Sequence, residues 1–326
     1  MLSLSVQSEQ WPIRGVFRIS RGARTVSEPV VVEIGDGTHT GRGECLPYPR
    51  YGESVDAVVQ QIEEIADIVA RGIGREALLD ELPPGAARNA VDCALWDLEA
   101  KRCGTPAWRL AGVPEPEPLT TAYTISLAEP DEMAESARAQ AHRPLLKLKL
   151  TGEGDLERVR AVHDAAPASV LIADANEAWT PGTFRELAPQ FAKLGVEMIE
   201  QPFPADQDAV LAELEHPVAV CADESCHTSE GVAWLRGRYD LINIKLDKTG
   251  GLTEALQLQS AALGAGLGIM IGCMVGTSLG IAPATLLGAT ASYIDLDAPL
   301  LLAKDRENGI EFDGSVLYPP DRELWG

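Results

Sequence analysis

Eight lysine and acidic residues occur at or near the ends of short apolar segments, where an unpaired charge would be costly to bury. They are Lys147, Lys149, Asp174, Glu200, Asp223, Lys245, Asp295 and Asp297. From Lys149 to Lys245 the charged positions are 25, 26, 23 and 22 residues apart, and Asp295 follows 50 residues later. Ammonium groups can exchange protons and clustered carboxylates can bind a cation, so the set predicts an active site for metal-assisted proton transfer.

Three of the acids end successive apolar segments, which predicts carboxylates that lie side by side. These are Asp174, Glu200 and Asp223. Because like charges at short range repel and raise each other's pKa, such a cluster requires a cation. Three oxygen ligands with open positions suit one Mg²⁺ per subunit, or Mn²⁺, and the lack of a histidine disfavours zinc. Any one of these acids, taken alone, is more typical of a helix N-cap or a surface position.

The two lysines of LLKLKL alternate with leucines, which places Lys147 and Lys149 on one face of a strand. If the leucine face packs under helices, both ammonium groups point into a barrel. Taken alone, the pattern equally fits an edge strand with a solvated lysine face. Lys245 would lie four strands further round an eight-strand ring, so we expect it to face Lys149 across the barrel mouth.

Two opposed lysines predict chemistry at one carbon that is approached from both sides. In racemisation or epimerisation, one lysine removes the α-proton of a carboxylate and the other returns a proton to the opposite face. Mg²⁺ bound to the carboxylate, with Lys147 beside one oxygen, would stabilise the enediolate formed between these steps. We expect neighbouring cations and partial desolvation to bring the pKa of Lys149 near neutrality, so that it can act as a base.

The elements that position these residues alternate regularly along the chain. The spacing of the charged positions is that of a strand plus a helix, repeated, and the segment LGIMIG supplies the strand midway between Lys245 and Asp295. This predicts a barrel of parallel strands that begins with LTTAYTISL, has a helix after each strand and lacks its last helix. We divide the chain into an α+β module at residues 1–113, a (β/α)7β barrel at 114–300 and a tail at 301–326 that returns to the first module.

Composition is consistent with a cytoplasmic enzyme. The chain has 326 residues, of which 45% are hydrophobic, and no apolar stretch long enough to span a bilayer. Its net charge of −22 argues against nucleic acid and anionic membranes as partners. The six cysteines form no CxxC pair, and the sequence leaves the oligomeric state open. Four of the seven lysines lie in the two predicted strand segments that hold Lys149 and Lys245.

Five motifs resemble those of the muconate-lactonizing-enzyme branch of the enolase superfamily, and the resemblance extends over essentially the whole chain. They are KLK (147–149), DAN (174–176), EQP (200–202), ADES (222–225) and NIKLDKTGG (243–251). The resemblance implies a capping domain over the barrel, with Asn176 and Glu224 in supporting roles. The segment DLDAP resembles the Asp-x-Asp element with which dipeptide epimerases bind the α-ammonium group of the substrate, which gives Asp295 and Asp297 that role.

Two segments of the first module, FRISRGART and ECLPYPRYGES, resemble capping-domain loops of proteobacterial enzymes that act on L-Ala-D/L-Glu. The resemblance implies a murein-derived dipeptide as the substrate and Arg24 as the partner of its glutamyl carboxylate. Each of Arg18, Arg21, Arg24 and Arg50 also fits an ordinary surface position, and the sequence does not rank them. Tyr51 and Arg50 would belong to a lid over the mouth, or to an ordinary polar turn. The other expected substrate contacts are Thr124, Cys273 and Met274, with Cys273 packing rather than acting as a nucleophile.

Other functions fit parts of the same pattern. Relatives of this type act on other dipeptides, and members without Asp-x-Asp include N-acylamino-acid racemases, o-succinylbenzoate synthase and cycloisomerases. A Schiff-base aldolase also needs a barrel lysine, but not three carboxylates around a metal. A non-catalytic binding protein on the same fold is a further alternative.

Overall fold

The computed structural model describes residues 1–326 as two modules, and the first is the capping domain. It contains five strands: β1 (Ser3–Ser8), β2 (Trp11–Ile19), β3 (Gly22–Ser27), β4 (Val30–Gly35) and β5 (Thr40–Cys45). Strands β1, β4 and β5 form an antiparallel sheet, whereas β2 and β3 form a separate hairpin.

The capping domain has five helices: α1 (Val55–Glu64), α2 (Ala66–Ala70), α3 (Arg75–Glu81), α4 (Ala86–Cys103) and α5 (Ala107–Leu110). Helices α1, α2 and α4 contact the capping sheet, whereas α3 and α5 contact α4. The segment from Ser54 to Gly72 has apolar residues at helical spacing, and it forms two helices that are separated at Ile65. Helix α4 packs directly on β5 because Gly41 and Gly43 have no side chain. A Cβ atom at either glycine would lie 2.1 Å from a carbonyl oxygen of α4.

A proline-containing linker leads through β6 (Leu119–Thr120) into a barrel of eight parallel strands. The predicted fold class, a capping domain followed by a parallel barrel, is therefore confirmed. Its strands are β7 (Tyr123–Ile125), β8 (Leu145–Lys149), β9 (Val170–Asp174), β10 (Val196–Glu200), β11 (Ala219–Ala222), β12 (Leu241–Ile244), β13 (Gly268–Gly272) and β14 (Tyr293–Asp295). All are parallel and hydrogen-bonded in chain order. The ring is nearly closed by a parallel bridge between Thr121 and Ile294.

The helices of this module are less regular than the sequence predicts. They are α6 (Pro130–Ala139), α7 (Asp155–Ala165), α8 (Pro181–Lys193), α9 (Val232–Leu235), α10 (Leu246–Thr249), α11 (Leu252–Gly264), α12 (Ser278–Ile281) and α13 (Ala298–Leu301). After β10 the expected α-helix is replaced by a 3₁₀ turn at Asp208–Glu213, and after β11 by a 3₁₀ turn and the short α9.

Inside the barrel, an apolar layer supports the charged residues. It consists of Ala122, Leu145, Ile172, Met198, Cys221, Leu241 and Met270, which form one buried cluster. Because side chains alternate along a strand, the residue two positions further on points into the same interior, nearer the carboxyl ends of the strands. Lys147, Asp174, Glu200 and Asp223 each follow a member of the apolar layer by two residues. Strand geometry therefore brings these four side chains to one level.

The tail contains β15 (Phe312–Asp313) and β16 (Val316–Leu317), and β16 pairs with β6. Its last residues lie against the capping domain. The indole N–H of Trp325 donates to the carbonyl of Cys93 at 2.9 Å, and the N–H of Gly326 donates to Asp97 at 2.8 Å. None of the helices in either module is long and apolar enough to cross a membrane.

Candidate active site

A cavity of about 430 Å³ lies between the capping domain and the carboxyl ends of the barrel strands. The capping domain contributes the β2–β3 hairpin and the loop Leu46–Tyr51, and the barrel contributes Lys149, Asp223, Lys245 and the loop after β13. Lys149 and Lys245 both line this cavity from β8 and from the residue after β12, four strands apart in the eight-strand order. The two lysines that were predicted to face each other therefore line the same cavity.

A charged cluster lies at the base of this cavity, and each of its carboxylates contacts at least one ammonium group. Its members are Lys147, Lys149, Asp174, Glu200, Asp223, Lys245 and Asp295. Nζ of Lys149 lies 2.6 Å from Asp174 Oδ2, and Nζ of Lys245 lies 2.8 Å from Asp223 Oδ2. Nζ of Lys147 lies 2.7 Å from Glu200 Oε2 and 2.7 Å from Asp295 Oδ2. All of these side chains are less than a tenth exposed, so their charges act on one another with little screening by water.

Lys248 is a fourth buried ammonium group of the charged cluster, and its position in the sequence did not predict a role for it. It lies in the helical turn α10 rather than in a strand, and its side chain is fully buried. Its Nζ donates to the carbonyl and Oδ1 of Asp223, at 2.5 and 2.7 Å, and to the carbonyl of Asn243 at 2.8 Å. The signal available in the sequence was the scarcity of lysine together with the spacing of three residues from Lys245, one helical turn.

Neighbouring polar groups hold Asp174, Glu200 and Asp223 in position. The side-chain amide of Asn243 donates to Glu200 Oε1 at 2.8 Å, and the backbone N–H of Asn176 donates to Asp174 Oδ1 at 3.0 Å. Gln201 follows Glu200 with a left-handed φ of 35°, and its Oε1 accepts the backbone N–H of Asp223 at 2.9 Å. These contacts connect the ends of β10, β11 and β12, whereas the contact at Asp174 lies within the end of β9.

The electrostatics of the charged cluster divide its acids into two groups. Burial would raise the pKa of Asp174, but the charges of Lys149 and Lys147 outweigh it and lower that pKa to about 2. Burial also opposes ionisation of Asp223, whose pKa is lowered because Lys245 and Lys248 flank it. Glu200 differs: burial and the charge of Asp174 raise its pKa despite the nearby Lys147.

Carboxylate partners determine the direction of the pKa shift of Lys245, the second cavity lysine. Burial lowers the pKa of Lys245, but the charges of Asp223 and Glu200 outweigh it, so that this pKa is raised. A direct carboxylate partner at 2.8 Å favours the ammonium form more strongly than burial disfavours it.

The side chains of Asp174, Glu200 and Asp223 are not already arranged as a set of metal ligands. No other group of three or more His, Cys, Asp or Glu side chains in the structure is arranged to hold a metal ion either. Their chemistry nevertheless fits a hard divalent cation, because all supply carboxylate oxygens and all are almost fully buried. Glu200 is the register partner of Asp174 in the adjacent strand. Oε2 of Glu200 is buried and lies 2.7 Å from Nζ of Lys147, so a bound cation would share this oxygen with Lys147.

The expected ammonium-binding pair and Thr124 lie below the cavity wall rather than on it. Asp295 contacts Lys147, and Asp297 Oδ2 accepts the backbone N–H of Thr124 at 2.7 Å. Burial and the adjacent charge of Asp295 raise the pKa of Asp297 to about 7. Oδ1 of Asp295 is buried without a hydrogen-bond partner, so a donor at this position would satisfy it.

The remaining expected residues line the cavity. Arg24 makes no ion pair, and its guanidinium lies 5.6 Å from the centroid of the Tyr48 ring. Arg50 forms two hydrogen bonds of 2.7 Å with Glu177, and Tyr51 packs edge-on against His227. Glu224, Asn176, Cys273 and Met274 also face the cavity. Burial raises the pKa of the Cys273 thiol, which keeps it protonated and fits the packing role predicted for it.

Two family models match the chain. Residues 1–112 match the model described as the mandelate racemase / muconate lactonizing enzyme N-terminal domain, and residues 131–322 match the enolase C-terminal domain-like model. Together they cover both modules.

Two proteins of known activity are similar over nearly their full length. The chain is 46% identical over 320 residues to the L-Ala-D/L-Glu epimerase of Escherichia coli (strain K12), which covers 98% of this chain and 100% of that protein. It is 42% identical over 301 residues to the N-acetyl-D-glutamate racemase of a Pseudoalteromonas species, which covers 91% and 95%.

Solved structures show the same architecture with ligands. An enolase family member from Agrobacterium tumefaciens with homology to dipeptide epimerases, solved with bound sodium and L-Ala-L-Glu, is 53% identical, covers 100% of both chains and gives a TM-score of 0.98. A dipeptide epimerase from Cytophaga hutchinsonii, complexed with Mg and D-Ala-L-Val, is 26% identical, covers 98% of this chain and 94% of that one, and gives a TM-score of 0.90.

Proposed function

The chain belongs to the mandelate racemase / muconate lactonizing enzyme group of the enolase superfamily, and from this premise we propose that it interconverts L-Ala-D-Glu and L-Ala-L-Glu. It is a dipeptide epimerase, an isomerase with Mg²⁺ as its cofactor. The choice of Ala-Glu as the substrate rests on the similarity to the Escherichia coli enzyme and on Arg24, a cationic side chain that lines the cavity. We infer that murein peptides are the source of the substrate and that the enzyme works in the cytoplasm.

The observation that carries the proposal is the pair of lysines on opposite sides of one cavity. Lys149 and Lys245 approach the cavity from strand ends four positions apart, with the carboxylate layer between them. A carbon held between two lysines can lose a proton to the one that is a neutral amine and gain a proton from the other, which is an ammonium group. Net inversion at the α-carbon of the C-terminal residue follows, whereas a single base would return the proton to the same face.

Each group of residues has a distinct role in the proposed reaction. Lys149 and Lys245 exchange the α-proton on opposite faces, and Lys147 places a positive charge beside the substrate carboxylate as negative charge develops there. Asp295 and Asp297 bind the N-terminal ammonium group, and Arg24 binds the glutamyl side-chain carboxylate. Asp174, Glu200 and Asp223 would hold Mg²⁺, which supplies further positive charge to the substrate carboxylate when bound.

Racemisation of N-acetyl-glutamate is the second candidate, because one of the similar proteins is an N-acetyl-D-glutamate racemase. That substrate has the same glutamate carbon skeleton but carries a neutral amide where the dipeptide carries an ammonium group. The two buried acids favour a cation, because Lys147 pairs with Asp295 and not with Asp297, and Oδ1 of Asp295 has no hydrogen-bond donor. We therefore place the dipeptide first.

Solvent-deuterium exchange tests the proposal directly. The purified chain with Mg²⁺ is incubated in D₂O with L-Ala-L-Glu, L-Ala-L-Met or N-acetyl-L-glutamate, and NMR follows loss of the α-proton and appearance of the epimer. We expect exchange and epimerisation to be fastest for L-Ala-L-Glu and to stop with EDTA. Exchange confined to N-acetyl-glutamate would identify a racemase, and faster exchange of L-Ala-L-Met would identify a different dipeptide preference.

Arg24→Met provides the matched test of side-chain recognition. Removing one charged hydrogen-bonding partner costs about 1.5 to 3 kcal/mol, so the preference for L-Ala-L-Glu over L-Ala-L-Met should fall by roughly 10- to 100-fold in kcat/KM. An unchanged preference would assign the glutamyl carboxylate to another cation.

A further inference from the structure

The β2–β3 hairpin covers the cavity although most of its surface is exposed. Only Ile13 and Ser27 are buried among its strand residues. Its tip, Ser20–Arg21, contacts the barrel loop that follows β9, where Ser20 Oγ donates to the carbonyl of Asn176 at 3.2 Å. A hairpin with so little buried surface depends on its few polar contacts for its position, since a two-stranded hairpin is only marginally stable alone.

Arg21 makes most of these tip contacts. Its Nη1 donates to the carbonyl of Asn176 at 2.9 Å and to Glu177 Oε2 at 3.2 Å. Its Nη2 donates to Glu224 Oε1 at 2.6 Å and to the hydroxyl of Tyr48 at 3.1 Å. Both carboxylates are nearly buried, with side chains 8% and 1% exposed, so these ion pairs are only weakly screened. One guanidinium thus connects the hairpin to two barrel loops and to the loop Leu46–Tyr51.

Two residues on the same hairpin face the cavity. The ring of Phe17 lies 6.0 Å from Nζ of Lys149, and Arg24 lines the cavity beside Tyr48. We propose that Arg21 is a positioning residue that anchors the hairpin on the barrel and thereby holds Phe17 over Lys149 and Arg24 toward the substrate. This inference rests on the proposed function for the identity of the substrate but not for the anchoring itself.

The two arginines of the hairpin have different roles in this proposal. The guanidinium of Arg21 is committed to four acceptors of the protein, so it has little capacity left for a substrate carboxylate. Arg24 makes no ion pair with the protein. Loss of Arg21 should therefore affect every dipeptide equally, because it releases the hairpin, whereas loss of Arg24 should affect the acidic dipeptide selectively.

The test compares Arg21→Ala and Arg21→Lys with Arg18→Ala as the matched control. Arg18 lies on the same hairpin, is exposed and contacts the barrel only through its backbone. With Mg²⁺ present, kcat and KM are measured for L-Ala-L-Glu and L-Ala-L-Met, and hydrogen–deuterium exchange is measured on peptides covering residues 11–27. The exchange measurement does not depend on activity.

For Arg21→Ala we expect faster amide exchange that is confined to residues 11–27. We also expect KM to rise by roughly 10- to 100-fold, with a smaller change in kcat. The preference between the two dipeptides should not change. Arg21→Lys should recover part of both effects, because lysine keeps the charge but not the fork of donors. Unchanged hairpin exchange in Arg21→Ala would overturn the anchoring role. A selective loss of L-Ala-L-Glu would make Arg21 a substrate ligand instead. If the wild-type chain epimerises neither dipeptide, the proposed function fails while the exchange comparison still tests the anchor.

Discussion

Four buried ammonium groups in one barrel are sustained only because carboxylates lie within hydrogen-bonding distance of each. Lys147 has two such partners at 2.7 Å, and its pKa is raised, since the charges of Asp295 and Glu200 outweigh the effect of burial. Moving any one of these charges changes the protonation equilibria of its neighbours. The residues of the charged cluster therefore function as a unit, and substitutions within it will not have additive effects.

Replacing either cavity lysine separates the two proton transfers of the proposed reaction. Lys149→Ala and Lys245→Ala should each lower epimerisation by about 10³-fold or more, because a positioned base contributes 10²- to 10⁴-fold and inversion needs both. Each variant should retain some α-proton exchange from one epimer only, and the two variants should retain opposite epimers. NMR of L-Ala-L-Glu and L-Ala-D-Glu in D₂O measures this, and retention of the same epimer by both variants would contradict a two-sided mechanism.

Lys248 is expected to matter for stability. Lys248→Met would remove the ammonium donor that the carbonyls of Asp223 and Asn243 share, and one of the two ammonium partners of the Asp223 carboxylate. Breaking a buried ion pair costs about 3 to 5 kcal/mol, so the free energy of unfolding should fall by roughly that amount. Urea unfolding followed by circular dichroism tests this against Lys193→Met, an exposed position on α8. Equal stability of the two variants would refute a structural role for Lys248.

At the scale of elements, the regular spacing of charged strand ends is the feature that the sequence predicted best. Segments such as VLIAD and VEMIE coincide with β9 and β10, because apolar runs flanked by loops define buried parallel strands. The short crossovers after β10 and β11 were not predicted, since helical periodicity was assumed from the repeat. Lys248 was placed in a strand for the same reason, because a one-turn helix has no periodicity to detect.

The contacts at the hairpin tip could not be predicted from the sequence. Arg21 and Arg24 lie three residues apart in one motif, and nothing in their spacing distinguishes an anchor from a substrate ligand. What distinguishes them is the position of Glu177 and Glu224, more than 150 residues away in sequence. Long-range pairing of this kind depends on how the two modules pack, which local patterns do not encode.

The start of β11 offers a pH-dependent test of local stability. Asp240 Oδ2 contacts Nδ1 of His216 at 2.9 Å and also accepts the backbone N–H of Val220. The hydrogen bond from His216 to Asp240 raises the pKa of His216. A raised pKa stabilises the fold fully below the unfolded-state pKa, about 6.5, and this stabilisation is lost as pH rises through the folded-state pKa.

The difference in unfolding free energy between the wild-type chain and His216→Gln should therefore be larger near pH 5.5 than near pH 8.5. Urea unfolding at both pH values gives the two differences. If the difference in unfolding free energy were the same at both pH values, or larger at pH 8.5, protonated His216 would not stabilise the fold through its contact with Asp240.

At the scale of the whole molecule, the site exists only where the two modules meet. The barrel supplies the charged cluster, whereas the hairpin and the loop Leu46–Tyr51 supply most of the cavity roof. A buried network also joins the modules beside the site: Glu44 accepts hydrogen bonds from the backbone N–H of Thr277 at 2.7 Å and from Arg306 at 2.7 Å. The net charge of −22 therefore describes the outer surface and not the cavity, where lysines and arginines converge.

Trp325 provides the test of how strongly the tail joins the modules. Its side chain is 2% exposed, it donates to Cys93 in α4, and Arg42 of the capping sheet donates to the carbonyls of Glu323 and Leu324 next to it. Trp325→Ala should lower the free energy of unfolding by about 3 to 5 kcal/mol, because it removes a large buried ring and leaves a cavity. The control is Trp234→Ala, since Trp234 is 43% exposed and packs mainly against Arg238. Calorimetry and urea unfolding measure both variants. If Trp325→Ala were no less stable than the control, the tail would contact the capping domain without stabilising it.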